Sequence, residues 1–116
     1  MLIYKIFRAD EWAALRAEGE TTGAPIDVAD GYVHFSTAAQ AEETAAKHFA
    51  GETDLFLLAV ETDRLGADLK WEVSRGDALF PHLYRVLRLS DVLWAQPLPL
   101  EYGAHQFPAG FGEAGA

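Results

Sequence analysis

Three short stretches of the sequence bring together the residue types that polar chemistry requires. The first is GYVHFST (residues 31–37), which ends a predicted strand and leads into a predicted helix. Backbone N–H groups are free at a helix N-terminus and the helix dipole favours anions there, so His34, Ser36 and Thr37 suit a phosphate or a dinucleotide. The alternative is that His34 hydrogen-bonds locally and the hydroxyls only cap the helix, which is their common use.

A second stretch, Lys70-Trp71-Glu72, places a carboxylate on one face of a predicted strand and an indole on the other. A carboxylate in that position can stabilise an oxocarbenium-like centre or orient a sugar hydroxyl. The alternative is that Glu72 is a partner in a surface ion pair, which is the usual role of charges on a solvated strand face.

A third stretch, FPHLY (residues 80–84), places His82 and Tyr84 on the same face of a strand, one pleat apart. This set of aromatic and imidazole rings suits a wall that binds a flat ring, or else it is a packed strand start whose polar tips reach water. A zinc or iron site made by His34, Glu72 and His82 has no support in the spacing, so no metal is predicted.

The hydrophobic pattern predicts helices early in the chain and strands late. Strands are expected over residues 2–7, 32–35, 54–61, 69–73, 83–89 and 92–98, and helices over 11–18 and 38–50. This order predicts an α+β fold rather than a doubly wound parallel sheet. Residues 19–31 are interpreted as a loop. A single domain over 1–98 is expected to be followed by a flexible tail over 99–116, which is rich in Gly, Ala and Pro.

Composition limits the function classes. The chain has 116 residues, 50% of them hydrophobic, which is enough for one domain with a core. Nine basic and 18 acidic residues give a net charge of −9, which disfavours a nucleic-acid partner. The absence of cysteine excludes disulfides and thiolate chemistry. Charges interrupt the apolar N-terminal run, so we expect a cytoplasmic protein without a membrane partner.

Four motifs in the order GYVHFST, FAGETDLFLLAVETDRL, LKWE and FPHLY make the sequence resemble an uncharacterised bacterial family, domain-of-unknown-function family 952. The opening IYKIF and Trp12 also fit, and the resemblance covers about residues 2–96. That family has no established activity.

The stretch from His34 to Val92 is also similar, more remotely, to the C-terminal half of NAD-dependent RNA 2′-phosphotransferases, in the ADP-ribosyltransferase-like superfamily. This resemblance implies a split antiparallel or mixed β-sheet with an NAD cleft. It implies that Glu72 and His34 are catalytic, with Glu72 contacting the nicotinamide ribose or activating the nucleophile. The residues implied to bind the cofactor are His34, Ser36, Thr37, Trp71, His82 and Tyr84.

The sequence also departs from those phosphotransferases. They carry an early Arg-His pair and an N-terminal domain, whereas this chain offers only Lys5 and Arg8 in the early segment and is acidic. RNA 2′-phosphate is therefore disfavoured as a substrate. The expected partner is a small-molecule nucleotide, bound by an ADP-ribosyltransferase-like enzyme. The alternative is a non-catalytic metabolite- or partner-binding module on the same fold, and the identity of any protein partner is left open.

Overall fold

The computed structural model describes residues 1–109 and 111, which form an α+β fold whose strand pairs are all antiparallel within that part of the chain. The three helices are α1 (Ala9–Glu18), α2 (Pro25–Asp30) and α3 (Ala38–His48). The strands are β1 (Leu2–Arg8), β2 (Glu20–Thr21), β3 (Val33–His34), β4 (Leu55–Glu61), β5 (Leu69–Val73), β6 (Leu79–Leu83), β7 (Leu87–Arg88), β8 (Val92–Leu98), β9 (Leu100–Glu101) and β10 (Ala104–His105).

The first sheet has the order β1-β4-β8, with β4 in the centre. Strand β4 is apolar on both faces, as expected for a strand that is covered on both sides, and four of its residues are fully buried: Leu57, Leu58, Ala59 and Val60. Strand β8 lies at the edge, where Pro97 pairs with Phe56. An edge position tolerates proline because proline has no N–H to donate to a ladder.

The second sheet has the order β3-β6-β5. Its register places His34 opposite His82, and His82 opposite Lys70 on the other side. Strands β5 and β6 are joined by a tight turn in which Gly76 has a φ of 66°, a conformation that favours glycine. These two three-stranded sheets meet at an antiparallel bridge between Tyr4 and Ser36, whose backbone hydrogen bonds measure 2.8 and 2.9 Å, and the pairs β2–β7 and β9–β10 form two further two-stranded sheets.

Two helices pack on this framework as the sequence pattern predicts. Helix α1 buries Leu15 completely and ends at Gly19, whose φ is 82°. Helix α3 begins with a capping box, because the side chains of Thr37 and Gln40 each accept a hydrogen bond from the other's backbone N–H. Ala45 of α3 is buried against the first sheet.

Two segments in the interior of the chain differ from the sequence-based prediction. Residues 19–31, expected to be a loop, contain β2 and α2, and α2 starts with Pro25 at a position that needs no hydrogen-bonded N–H. The strand expected over 83–89 is instead two strands, β6 and β7, separated by a turn. Strand β6 begins four residues earlier than predicted, at Leu79, and continues through Pro81.

The part of residues 99–116 that the structure describes contains the hairpin β9–β10 rather than only the expected tail. Phe107 and Phe111 pack against the core beside Tyr4, and His105 Nε2 lies 2.8 Å from the carbonyl oxygen of Glu52. Residues 110 and 112–116 lie outside the described residues. Within the described chain, no helix is both long and apolar enough to cross a membrane.

Candidate functional site

A cleft of about 800 Å³ opens between the two sheets, with α2 and α3 contributing to its walls. Residues of β1 and β3 line one part of it and residues of β6 another. Ligand sites in proteins commonly have volumes of roughly 300–1,000 Å³, so the cleft has room for a nucleotide-sized molecule.

The carboxylate of Asp27, on α2, organises one wall of this cleft although it is itself fully buried. Its Oδ1 accepts hydrogen bonds from the backbone N–H (3.0 Å) and from Nδ1 (2.6 Å) of His34. Its Oδ2 accepts from the backbone N–H of Ala24 (2.7 Å) and contacts Nζ of Lys5 at 2.7 Å. Burial alone would raise the pKa of Asp27, but the hydrogen bonds from His34 and the charge of Lys5 outweigh it and lower the pKa below its usual value.

Lys5 and His34 are both held by this arrangement. Lys5 lies on the same buried face of β1 as Ile3 and Phe7, where burial lowers the pKa of its ammonium group although Asp27 raises it. The second ring nitrogen of His34, Nε2, lies 3.0 Å from Oδ2 of Asp30. Because each imidazole nitrogen faces a carboxylate, the ring is fixed in one orientation.

A second carboxylate holds His82. Oε1 of Glu72 accepts hydrogen bonds from Oη of Tyr84 (2.6 Å) and from Nδ1 of His82 (2.9 Å). The bond from Tyr84, followed by the one from His82, lowers the pKa of Glu72, and the same bond raises the pKa of Tyr84 to about 12. His82 is 2% exposed and lines the cleft. With Nδ1 donating to Glu72, Nε2 of the neutral ring is a proton acceptor.

The aromatic ring of Tyr32 connects the two histidine–carboxylate pairs. Its centroid lies 4.6 Å from that of His34, 4.2 Å from that of His82 and 5.1 Å from that of Tyr84. The two imidazole rings are 5.3 Å apart in an edge-on arrangement. Five side chains, from Tyr32, His34, Glu72, His82 and Tyr84, thus form one cluster, which we call the histidine cluster.

The structure brings together most, but not all, of the residues proposed from the sequence. His34, Ser36 and His82 line the cleft. Glu72 and Tyr84 lie behind that wall, because Glu72 is hydrogen-bonded to His82 and Tyr84 is hydrogen-bonded to Glu72. The other two lie elsewhere: Thr37 caps α3, and Trp71 alternates with Glu72 on β5, so that its side chain lies on the opposite face and is 40% exposed.

Another wall of the cleft carries a cation that the sequence analysis did not select. The guanidinium of Arg75 donates to Oγ1 of Thr44 and to Nε2 of His48, both at 3.0 Å, and lies 4.9 Å above the ring of Phe80. Burial, and then the charge of Arg75, lower the pKa of His48. Oγ of Ser36 lies 2.9 Å from the hydroxyl of Thr44.

The sequence carried partial signals for the residues that were missed. Tyr32 alternates with His34 along its strand, so the two were expected on one face. A lysine inside an otherwise apolar strand, as at Lys5, indicates a buried counter-ion, but its partner Asp27 is found only through tertiary contacts. Among the described residues, no group of three or more His, Asp or Glu side chains is arranged to hold a metal ion.

The chain matches one protein family and is similar to solved structures of a bacterial protein. The family described as protein of unknown function (DUF952) matches residues 6–95. The crystal structure of protein CC0527 from Caulobacter crescentus is 52% identical, has a TM-score of 0.88 and covers 91% of this chain and 94% of that one. The solution NMR structure of CC0527 is 52% identical, has a TM-score of 0.81 and covers 90% of each chain. No curated protein matches the sequence of this chain. Because the family match covers most of the length of this chain, the chain belongs to the DUF952 family of proteins of unknown function.

Proposed function

We propose that the cleft binds NAD or a related nucleotide and that the protein is an ADP-ribosyltransferase-like enzyme. The observation that carries the proposal is the histidine cluster. Residues from separate stretches of the sequence converge on His34 and His82, which line a nucleotide-sized cleft, and each histidine is held by a carboxylate. The two sheets joined at Tyr4 and Ser36 are compatible with a split sheet. The net charge of −9 favours a small nucleotide over a nucleic acid.

The residues of the cluster suit the transfer of a ribosyl group. NAD would supply a ribose whose bond to nicotinamide is the one that breaks, with positive charge developing on the sugar. Glu72, ionised and next to His82, would stabilise that charge electrostatically. Nε2 of His82 would accept the proton of the attacking group, since Nδ1 donates to Glu72. His34, fixed by Asp27 and Asp30, would orient a ribose hydroxyl.

Glu72→Gln tests this role most directly. We expect NAD to bind the wild-type protein in calorimetry and to be consumed in a turnover assay. The Gln variant should bind NAD but consume it about 100-fold more slowly, the usual size of a lost acid–base or electrostatic contribution. Glu18→Gln, an exposed change on α1, is the matched control and should keep the wild-type rate. Wild-type protein that neither binds nor consumes NAD would refute the proposal.

A non-catalytic binding module is the second candidate, and the hydrogen bonds of the cluster favour it. Oε1 of Glu72 is already engaged by two donors, and both ring nitrogens of His34 face carboxylates, so these groups have structural partners before any ligand arrives. This candidate predicts nucleotide binding without turnover, and an affinity that Glu72→Gln changes by no more than about twofold. The same calorimetric and turnover measurements separate it from the enzyme.

A further inference from the structure

Arg75 lies farther from its carboxylate partner than Lys5 and Arg8, the other two basic residues of the cleft, do from theirs. Nζ of Lys5 lies 2.7 Å from Asp27, and Nε of Arg8 lies 2.8 Å from Glu52. Nε of Arg75 is 3.7 Å from Glu43, an exposed carboxylate that also contacts Nζ of Lys47 at 3.0 Å. In a chain with a net charge of −9, this leaves a positive group on the cleft wall that its neighbours do not closely neutralise.

Neutral groups accept the hydrogen bonds of this guanidinium. Thr44 and His48 each accept one of its hydrogen bonds, and the imidazole does so through an unprotonated Nε2. The guanidinium carbon lies 4.9 Å from the centroid of the Phe80 ring, and such a cation–π contact stabilises arginine without cancelling its charge. The side chain of Arg75 is 23% exposed, so it is largely fixed before a ligand binds. Such a pre-arranged arginine loses little conformational freedom on binding an anion.

Hydroxyl groups surround the same part of the cleft. Ser36 and Thr44 share a hydrogen bond of 2.9 Å, and Ser74, next to Arg75 in the chain, also lines the cleft. A planar guanidinium that retains further N–H donors, together with hydroxyls, is the donor set that phosphate oxygens require.

We propose that this end of the cleft is a phosphate subsite, in which Arg75, assisted by Thr44, Ser36 and Ser74, binds the phosphate or diphosphate of a nucleotide. The inference deepens the proposed function and rests on it for the rest of the ligand. The histidine cluster, on another wall, would then face the sugar and the base.

Calorimetric titrations with ADP and with adenosine test the subsite, because the two probes differ in the diphosphate. ADP should bind the wild-type protein, and its affinity for the Arg75→Gln variant should be lower by about tenfold or more, which is the effect of one lost charge-assisted contact. Adenosine affinity should be the same for both proteins. Arg64→Gln is the matched control, since the side chain of Arg64 is absent from the cleft lining and donates to the carbonyl of Ser90; it should leave both affinities unchanged.

Equal ADP affinities for wild type and Arg75→Gln would overturn the subsite. Titration with inorganic pyrophosphate separates this inference from the proposed function. If no nucleotide binds but pyrophosphate binds in an Arg75-dependent way, the subsite stands and the proposed function fails; if none of the three probes binds, both fail. Thermal unfolding checks that each variant folds. Should Arg75→Gln not fold, Arg75→Lys replaces it: a selective loss of ADP affinity supports the subsite, and unchanged ADP affinity overturns it.

Discussion

A single buried carboxylate, that of Asp27, connects the backbone and side chains of three separate segments of the chain. It binds Lys5 from β1, His34 from β3 and the backbone at the start of α2. Removing one member of a buried pair leaves the other charge without compensation, which commonly costs about 3–5 kcal/mol. Asp27 therefore contributes to stability as well as to the shape of the cleft.

Asp27→Asn should reduce the free energy of unfolding at neutral pH by about 3 kcal/mol, measured by urea denaturation, because the amide cannot neutralise Lys5. The folded-state pKa of Asp27 lies below 3.8. The contribution of Asp27 to stability is therefore complete above pH 3.8, the ordinary pKa of its carboxyl group in the unfolded chain. It is lost as pH falls through the lower pKa of the folded state. The difference between wild type and variant should shrink below about pH 4.

The control for this prediction is Asp30→Asn, because Asp30 also contacts His34 but its side chain is 40% exposed. It should cost less than about 1 kcal/mol at neutral pH, as exposed ion pairs do. If the two variants are equally stable at neutral pH, or if the cost of Asp27→Asn is independent of pH, the central position given to Asp27 is wrong.

Tyr84 reports on the other carboxylate of the site. Its pKa is raised to about 12, mainly because its hydroxyl donates to Glu72. In Glu72→Gln that pKa should fall towards the ordinary value of 10.0, since a neutral amide no longer disfavours the tyrosinate. An NMR titration of the tyrosine ring carbons, with Tyr84→Phe to assign the signal, measures the shift. A wild-type Tyr84 that already titrates near 10 would contradict the hydrogen bond.

Part of the site could be predicted from residues alone. The two-residue period of a strand predicted Tyr32, His34 and Ser36 on one face. In the structure the rings of Tyr32 and His34 lie 4.6 Å apart, and His34 and Ser36 both line the cleft. The contact of Asp27 with Lys5 spans 22 positions and depends on how α2 packs against β1. No local period encodes such a contact, so it could not be predicted from the sequence.

At the scale of elements, Thr37 had two interpretations from the sequence, a nucleotide contact or a helix cap. The structure shows its capping hydrogen bonds with Gln40, and Thr37 is not part of the cleft lining. Thr37→Ala should therefore cost about 1 kcal/mol in the free energy of unfolding, and Thr37→Ser should recover most of it, because serine caps equally well.

Urea denaturation measures the two Thr37 variants, and calorimetry with ADP supplies the complementary readout. ADP affinity should be unchanged in both variants. A loss of affinity in Thr37→Ala without a loss of stability would instead support the nucleotide contact that the sequence analysis proposed.

Elements with a clear hydrophobic pattern were predictable, whereas α2 and the bounds of β6 were not. Strand β4 was expected over 54–61 and runs over Leu55–Glu61, because its continuous apolar pattern is typical of a central strand. Helix α2 has only six residues and no apolar period, and Pro81 made β6 resemble a strand entry rather than its interior. Both missed elements carry site residues, since Asp27 lies on α2 and His82 on β6.

At the scale of the whole molecule, the α+β class followed from the order of helices and strands, but the pairing of the strands did not. Strand β3 ends at His34 and pairs with β6, which begins only at Leu79, and it is this pairing that sets His34 against His82. Sequence alternation gave the face of each strand without giving its neighbour. The cytoplasmic location and the single domain over 1–98 stay predictions.

The hairpin β9–β10 and the residues after it bear on where that domain ends. Phe107 packs on the core cluster that includes Tyr4, and its ring centroid lies 4.9 Å from that of Phe111. Full burial of a phenylalanine commonly contributes about 3–5 kcal/mol, and Phe107 is only partly buried. Phe107→Ala should therefore lower the free energy of unfolding by about 2 kcal/mol in urea denaturation.

Tyr102→Ala is the matched control, because Tyr102 is fully exposed at the tip of the same hairpin. It should change stability by less than about 0.5 kcal/mol. A chain ending at Leu98 should lose at least as much stability as Phe107→Ala, since it lacks both phenylalanines. If that shortened chain unfolds at the same urea concentration as the full one, these residues contribute nothing to the fold and the tail expected from the sequence is the better description. If it is destabilised, the domain extends through Phe107, and the aromatic cover over Tyr4 also supports the strand that positions Lys5 in the cleft.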